Sequence, residues 1–159
     1  MSNGEAKSTA YIPYQMLYKI IWEICNGMIS GFGFCSDIGD TKFFENSVAL
    51  RYLPVRWLAP ECFHGKFSRG SDTWSFGVLL YEVFTLGDAP YDDLQKAEEI
   101  RECVLHSRIP AHPRYASRQL YILLQQCFHR YPERRPPFTQ LKANFRNEMK
   151  ALFVDMAYE

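Results

Sequence analysis

The stretch that most restricts the fold is residues 71–87, SDTWSFGVLLYEVFTLG. On a helix, Trp74, Phe76, Val78, Leu79, Leu80, Tyr81, Val83 and Phe84 leave almost no polar face. A helix that is apolar all round is stable only when buried all round, so the pattern predicts a central post against which other helices pack. Ser71 is placed to cap its start and Gly87 to stop it.

Such a post needs enough chain to cover it. At 159 residues, 47% apolar and 16% aromatic, the chain suggests one packed domain and argues against disorder. Eighteen basic and eighteen acidic side chains cancel, which favours neither nucleic acid nor an anionic membrane as partner. Cys25, Cys35, Cys62, Cys103 and Cys127 are odd in number and far apart, with no C-x-x-C pair. Reduced cytosolic thiols are expected rather than a disulfide framework or a zinc site. The start, MSNGEAKSTA, is polar and carries Glu5, unlike a signal peptide. Lys19, Glu23, Glu82 and Asp88 interrupt every apolar run short of the roughly 18 residues of a membrane span. A soluble, cytoplasmic chain is expected.

Residues 1–10 read as a flexible tail and 151–159 as a C-terminal one, with a single domain over 11–150. After Pro13, the residues Met16, Leu17, Ile20, Ile21, Ile24, Cys25 and Met28 recur at helical intervals, with Gly27 near the end. Residues 29–56 lack a helical period and suggest an irregular segment with short extended pieces. An amphipathic surface helix is expected over 95–105 and a connector from Ile109 to Pro113. Ser117 opens a helix bearing Leu120, Leu123, Leu124 and Cys127; another begins near Pro137, with Phe138, Leu141, Phe145, Met149 and Leu152 on its apolar face. The sum is mostly α, with at most two short strands.

Three ordered motifs then narrow the class. LPVRWLAPE at 53–61 resembles the end of the activation segment in protein tyrosine kinases. Residues 71–91 look like the central buried helix of the kinase C-terminal lobe and its following loop, and CFHRYPERRPPFTQL at 127–141 resembles the C-x-x-x-x-P-x-x-R-P-x-F signature closing that lobe. The resemblance spans 11–150 and is densest over 53–141. It implies a receptor-type-like tyrosine kinase C-lobe, truncated and degenerate, with the N-terminal lobe absent. The family's activity is ATP-dependent phosphorylation of protein tyrosines with magnesium, and phosphoryl transfer rests on positioning and charge neutralisation around the phosphate.

That machinery is missing from this chain. Gly31-Phe32-Gly33 stands where the family has Asp-Phe-Gly, and a glycine offers magnesium no carboxylate. Met28 runs straight into Ile29-Ser30, where His-Arg-Asp and its asparagine are expected first. No G-x-G-x-x-G is present; Val48-Ala49-Leu50-Arg51 only mimics the lysine strand, and His129-Arg130-Tyr131 belongs to the closing signature. No intact catalytic residue, nucleotide site or metal site is expected. A pseudokinase-like binding role follows. The alternative is an active, longer kinase whose N-lobe and catalytic loop are missing here through truncation or mis-splicing.

The resemblance assigns structural roles as well. Leu53, Pro54, Val55, Arg56 and Trp57 form the platform that docks a tyrosine-bearing peptide. Glu61 pairs with Arg135, the bland alternative being two unrelated surface charges. Asp72 in the family accepts hydrogen bonds from the catalytic loop; otherwise it is an ordinary acid at a helix N-terminus. Trp74 belongs to the buried post. Tyr52 is either a phosphoacceptor or a packed aromatic, and Phe43-Phe44 sit where receptor kinases often carry paired tyrosines. Expected partners are proteins: a tyrosine-containing peptide or another kinase-like chain. Phe32 and the Met16–Met28 face predict exposed apolar surface and oligomerisation.

Overall fold

The computed structural model describes residues 44–45 and 54–155. The 16–28 helix, Gly31-Phe32-Gly33, Phe43, Tyr52, Leu53 and the N-terminal tail lie outside the described residues, as do the side chains of Met149 and Leu152.

The post forms as α1, Arg69–Thr85. It opens one turn earlier than the sequence suggested. Ser68, not Ser71, is the N-cap, with its hydroxyl accepting from the Ser71 amide at 3.2 Å while the Ser71 hydroxyl accepts from the Ser68 amide at 3.1 Å. This reciprocal exchange is a capping box in which a second serine replaces the usual glutamate. The helix ends in a Schellman arrangement, the Leu86 amide bonding Val83 and the Gly87 amide bonding Glu82. Leu86 therefore takes the left-handed conformation (φ 63°), with Gly87 following at φ 106°.

Trp74, Phe76, Val78, Leu80 and Phe84 are buried. Leu79, Tyr81 and Val83 are half-buried, so the post is not fully enclosed among the described residues. α2, Ala97–Leu105, buries Ile100 and Val104 and turns Glu98, Glu99, Arg101 and Glu102 to solvent. α3, Arg118–Cys127, is capped by Ser117, whose hydroxyl accepts from the Leu120 amide at 3.0 Å. α4, Phe138–Asp155, buries Leu141 and Phe145 and runs past residue 150, where the sequence placed the start of a tail.

Close approach of α1 and α3 depends on Gly77. A Cβ built there falls 2.8 Å from the Cys127 Cβ and 3.1 Å from the Phe128 ring. Among the described residues the strands are short: β1, Phe44–Glu45, pairs antiparallel with β2, Lys66–Phe67, in the register Phe44 to Phe67. No helix of the described residues is long and apolar enough to cross a membrane.

Candidate functional site

Two short 3₁₀ turns, Val55–Trp57 and Pro60–His64, carry the residues the sequence singled out. Pro54 and Pro60 precede or open these turns with the fixed φ that proline supplies. Gly65 closes the second at φ 75°, a left-handed position natural to glycine. The chain then enters β2 and the capping box of α1. Glu61 is thereby held beside the start of the post.

Arg135 reaches it from the far end of the sequence. Its Nη1 donates to Glu61 Oε1 at 2.6 Å and its Nη2 to Glu61 Oε2 at 2.8 Å. The other donors go to backbone carbonyls: Gly70 at 2.9 Å, His129 at 2.8 Å and Arg130 at 3.3 Å. A guanidinium has five N–H groups in a planar fork, and here each has an acceptor. Its plane lies over the Trp74 ring, 5.1 Å from the centroid. Ser71 adds a third partner to the carboxylate, donating to Oε1 at 2.9 Å. The Arg135 side chain is fully enclosed and that of Glu61 nearly so, at 0% and 10% exposure. A buried charge pair is tolerable only when its remaining hydrogen-bond capacity is filled in this way.

This anchor also shapes its neighbours. Burial pushes the Cys62 thiol up to about 11. Burial pushes Cys127 up to about 12. Both are therefore protonated, unreactive packing groups at neutral pH.

Among residues 54–57, expected to belong to a peptide platform, the side chains divide between the lobe and solvent. Arg56 points inward and donates to the carbonyls of Pro90, Tyr91 and Leu94, the Pro90 and Leu94 bonds each being 2.7 Å. Trp57 Nε1 donates to Glu82 on α1 at 3.1 Å, and its carbonyl accepts from Ser75 at 2.9 Å. Pro54 is exposed and Val55 half-buried. Arg56 and Trp57 thus tie this turn to the lobe, Val55 packs partly against the core, and Pro54 is left facing outward. Tyr91, in the clamped loop, has φ 57° and donates its buried hydroxyl to the Arg108 carbonyl at 2.9 Å. Sequence reasoning did not single out Ser71 as a carboxylate donor, nor Tyr91. The S-x-x-S spacing of Ser68 and Ser71 was the available sign for the first.

Asp72 is on the exposed side of the first turn of α1 and accepts no hydrogen bond from another described residue. Nearby protein still crowds the carboxylate enough to hold its pKa above the ordinary value. The Trp74 indole N–H is buried and has no acceptor among the described residues.

A buried post, an activation-segment-like turn tied by a bidentate ion pair to the segment before α4, and that closing helix together define a helical lobe of the protein-kinase type. The family model for protein tyrosine and serine/threonine kinases matches residues 26–145. The chain belongs to that family. It is 38% identical over 114 residues to the fibroblast growth factor receptor homolog 1 of Drosophila melanogaster, covering 71% of this chain and 16% of that protein. Against human platelet-derived growth factor receptor beta it is 39% identical over 123 residues, covering 74% of this chain and 11% of the receptor. Against the mouse cytoplasmic tyrosine-protein kinase BMX it is 40% identical over 112 residues, covering 67% and 17%. The chain thus spans a small part of the length of these relatives.

Proposed function

We propose that this chain is a pseudokinase-like domain that binds protein and does not transfer phosphate. One observation carries the reading: Met28 leads directly to Ile29-Ser30-Gly31-Phe32-Gly33, with no His-Arg-Asp between and glycine at the metal-holding position. Each missing group normally supplies several kcal/mol of transition-state stabilisation. Magnesium-bound ATP does not fit the donor set. Gly31 has no side-chain oxygen, and among the described residues no three His, Cys, Asp or Glu side chains converge. No reaction step is therefore assigned to this chain.

The anchored segment supports a binding role. The Glu61–Arg135 pair and the Arg56 clamp, both made within the chain, hold the Pro54–Trp57 turn in place. A cytoplasmic protein partner, a tyrosine-containing peptide or another kinase-like chain, would meet the exposed Pro54 there. Self-association belongs to the same reading, and size-exclusion chromatography giving only a compact monomer would count against it. The decisive test is melting with and without ATP and magnesium, together with transfer of labelled phosphate to a tyrosine peptide. No shift and no transfer are expected; either response overturns the proposal.

The abrupt Met28–Ile29 junction favours one second reading, an active, longer kinase from which the catalytic loop has been removed by truncation or mis-splicing. The transcript across those two codons distinguishes them.

A further inference from the structure

The described tyrosines differ sharply in access. Tyr91 is buried, and Tyr81, Tyr115 and Tyr121 are half-buried. Tyr131 is 50% exposed. It has extended backbone (φ −91°, ψ 121°) immediately before the 3₁₀ turn Pro132–Arg134, so its side chain projects from the loop rather than from a helix face.

The charges around these rings differ too. Burial, then Asp92, Asp88 and Asp93, push the Tyr81 phenol up, and a phosphate there would meet three carboxylates. Around Tyr131 the neighbours are cationic or protonatable. The Arg134 guanidinium lies over its ring, 5.4 Å from the centroid, and the His129 ring is 5.8 Å away. Arg130 is exposed beside it in sequence, and Glu133 is the one acid in the turn.

The loop is also stiff. Tyr131 donates its amide to His129 Nδ1 at 3.1 Å, and the Arg134 amide donates to the Tyr131 carbonyl at 3.1 Å. The carbonyls of His129 and Arg130 are held by Arg135. Arg135 cannot be drawn off by a new anion, because its donors are occupied and its side chain is enclosed. Arg134 is exposed and can swing from the face of the ring to its hydroxyl end.

We propose that Tyr131 is a phosphoacceptor for a separate, active protein tyrosine kinase, and that Arg134 holds the resulting phosphate. ATP is the phosphate donor. The Tyr131 Oη–phosphorus bond forms as the bond from the γ-phosphorus to the β–γ bridging oxygen breaks. ADP leaves with that electron pair, and the phenolic proton passes to the base of the modifying kinase. A phosphate carries close to two negative charges at neutral pH and three strong acceptors, so an arginine already stacked on the ring gains charge-assisted hydrogen bonds. The inference does not depend on whether this chain is itself catalytic.

The test treats the folded, full chain with a purified active tyrosine kinase, ATP and magnesium, and maps phosphate by mass spectrometry. Tyr131 should be modified while Tyr81, Tyr91, Tyr115 and Tyr121 are not, and Tyr131→Phe should remove that signal. The phosphorylated chain should melt about 2–4 °C higher than the unmodified one, a gain absent in Arg134→Gln. Phosphate found elsewhere with Tyr131 untouched overturns the site. A phosphorylated chain that melts no higher, or a gain that survives Arg134→Gln, overturns the role of Arg134.

Discussion

Glu61 and Arg135, 74 residues apart in sequence, share a two-pronged ion pair with nitrogen–oxygen distances of 2.6 and 2.8 Å. The pair closes the chain on itself. It joins the turn before α1 to the segment before α4, and Trp74 lies against the guanidinium between them.

Removing Arg135 leaves a nearly enclosed carboxylate with only Ser71 to satisfy it and strips three carbonyls of their donor. Arg135→Ala should therefore lower stability by about 3–5 kcal/mol. The adjacent Arg134 is exposed, and Arg134→Ala should stay within about 0.5 kcal/mol of the parent. Denaturant melts on the two variants compare them directly. Equal midpoint shifts would mean that the pair does not hold the lobe together.

Gly77 tests the packing of α1 on α3. In an exposed helix, alanine is better than glycine by about 1 kcal/mol. Here the added methyl meets the Cys127 Cβ at 2.8 Å, a backbone-fixed atom that cannot swing aside. Overpacking of this kind costs about 1–3 kcal/mol, so Gly77→Ala should be net destabilising. A raised midpoint in chemical denaturation would show that the helices separate easily.

Arg56 couples the Val55–Trp57 turn to the loop after α1. Arg56→Ala removes the shared donor from three carbonyls, a loss on the order of 2 kcal/mol for hydrogen bonds to a charged group. The effect should be local. The Leu94 amide, bonded to the Tyr91 carbonyl at 3.0 Å, should exchange with solvent faster, while amides in the middle of α1 change little. Arg56→Lys should recover only part of the protection, since an ammonium lacks the planar fork that spans separate acceptors. Unchanged exchange at Leu94 would remove the clamp.

These contrasts mark what was legible in the sequence. The post, the α2 amphipathic stripe and the Ser117 cap follow from period and composition, because burial on one side of a helix leaves a periodic trace. The cap of α1 was misplaced by one turn because Ser68 and Ser71 are both good caps, and only their mutual hydrogen bonds rank them. Leu86 rather than Gly87 is the first left-handed residue, since the bonds from the Leu86 amide to Val83 and from the Gly87 amide to Glu82 put the left-handed position of the Schellman arrangement at Leu86. Glu61 and Arg135 were placed by motif resemblance; no local spacing links residues so far apart. The inward direction of Arg56 left no trace in the sequence, because it is set by the 3₁₀ turn and by the carbonyls that the side chain faces.

The buried thiols give the fold an alkaline limit. Cys62 and Cys127 have an ordinary value of 9.0, and burial raises them to about 11 and about 12 in the folded chain. Between these values the folded state holds protons that the unfolded state has released. Their contribution is therefore fully present below pH 9.0 and is lost as the pH rises through the folded values. For Cys62 alone, a rise of this size corresponds to a loss on the order of 2–3 kcal/mol. Burial raises the Tyr91 phenol as well, which steepens the fall at the upper end. Denaturant melts from pH 8 to 10.5 should show declining stability, with a shallower slope in Cys62→Ala and in Cys127→Ala. The slope is the readout, because truncating Cys127 also leaves a small cavity at every pH. Parallel slopes in parent and variants would mean that these thiols ionise as freely in the folded chain as in the unfolded one.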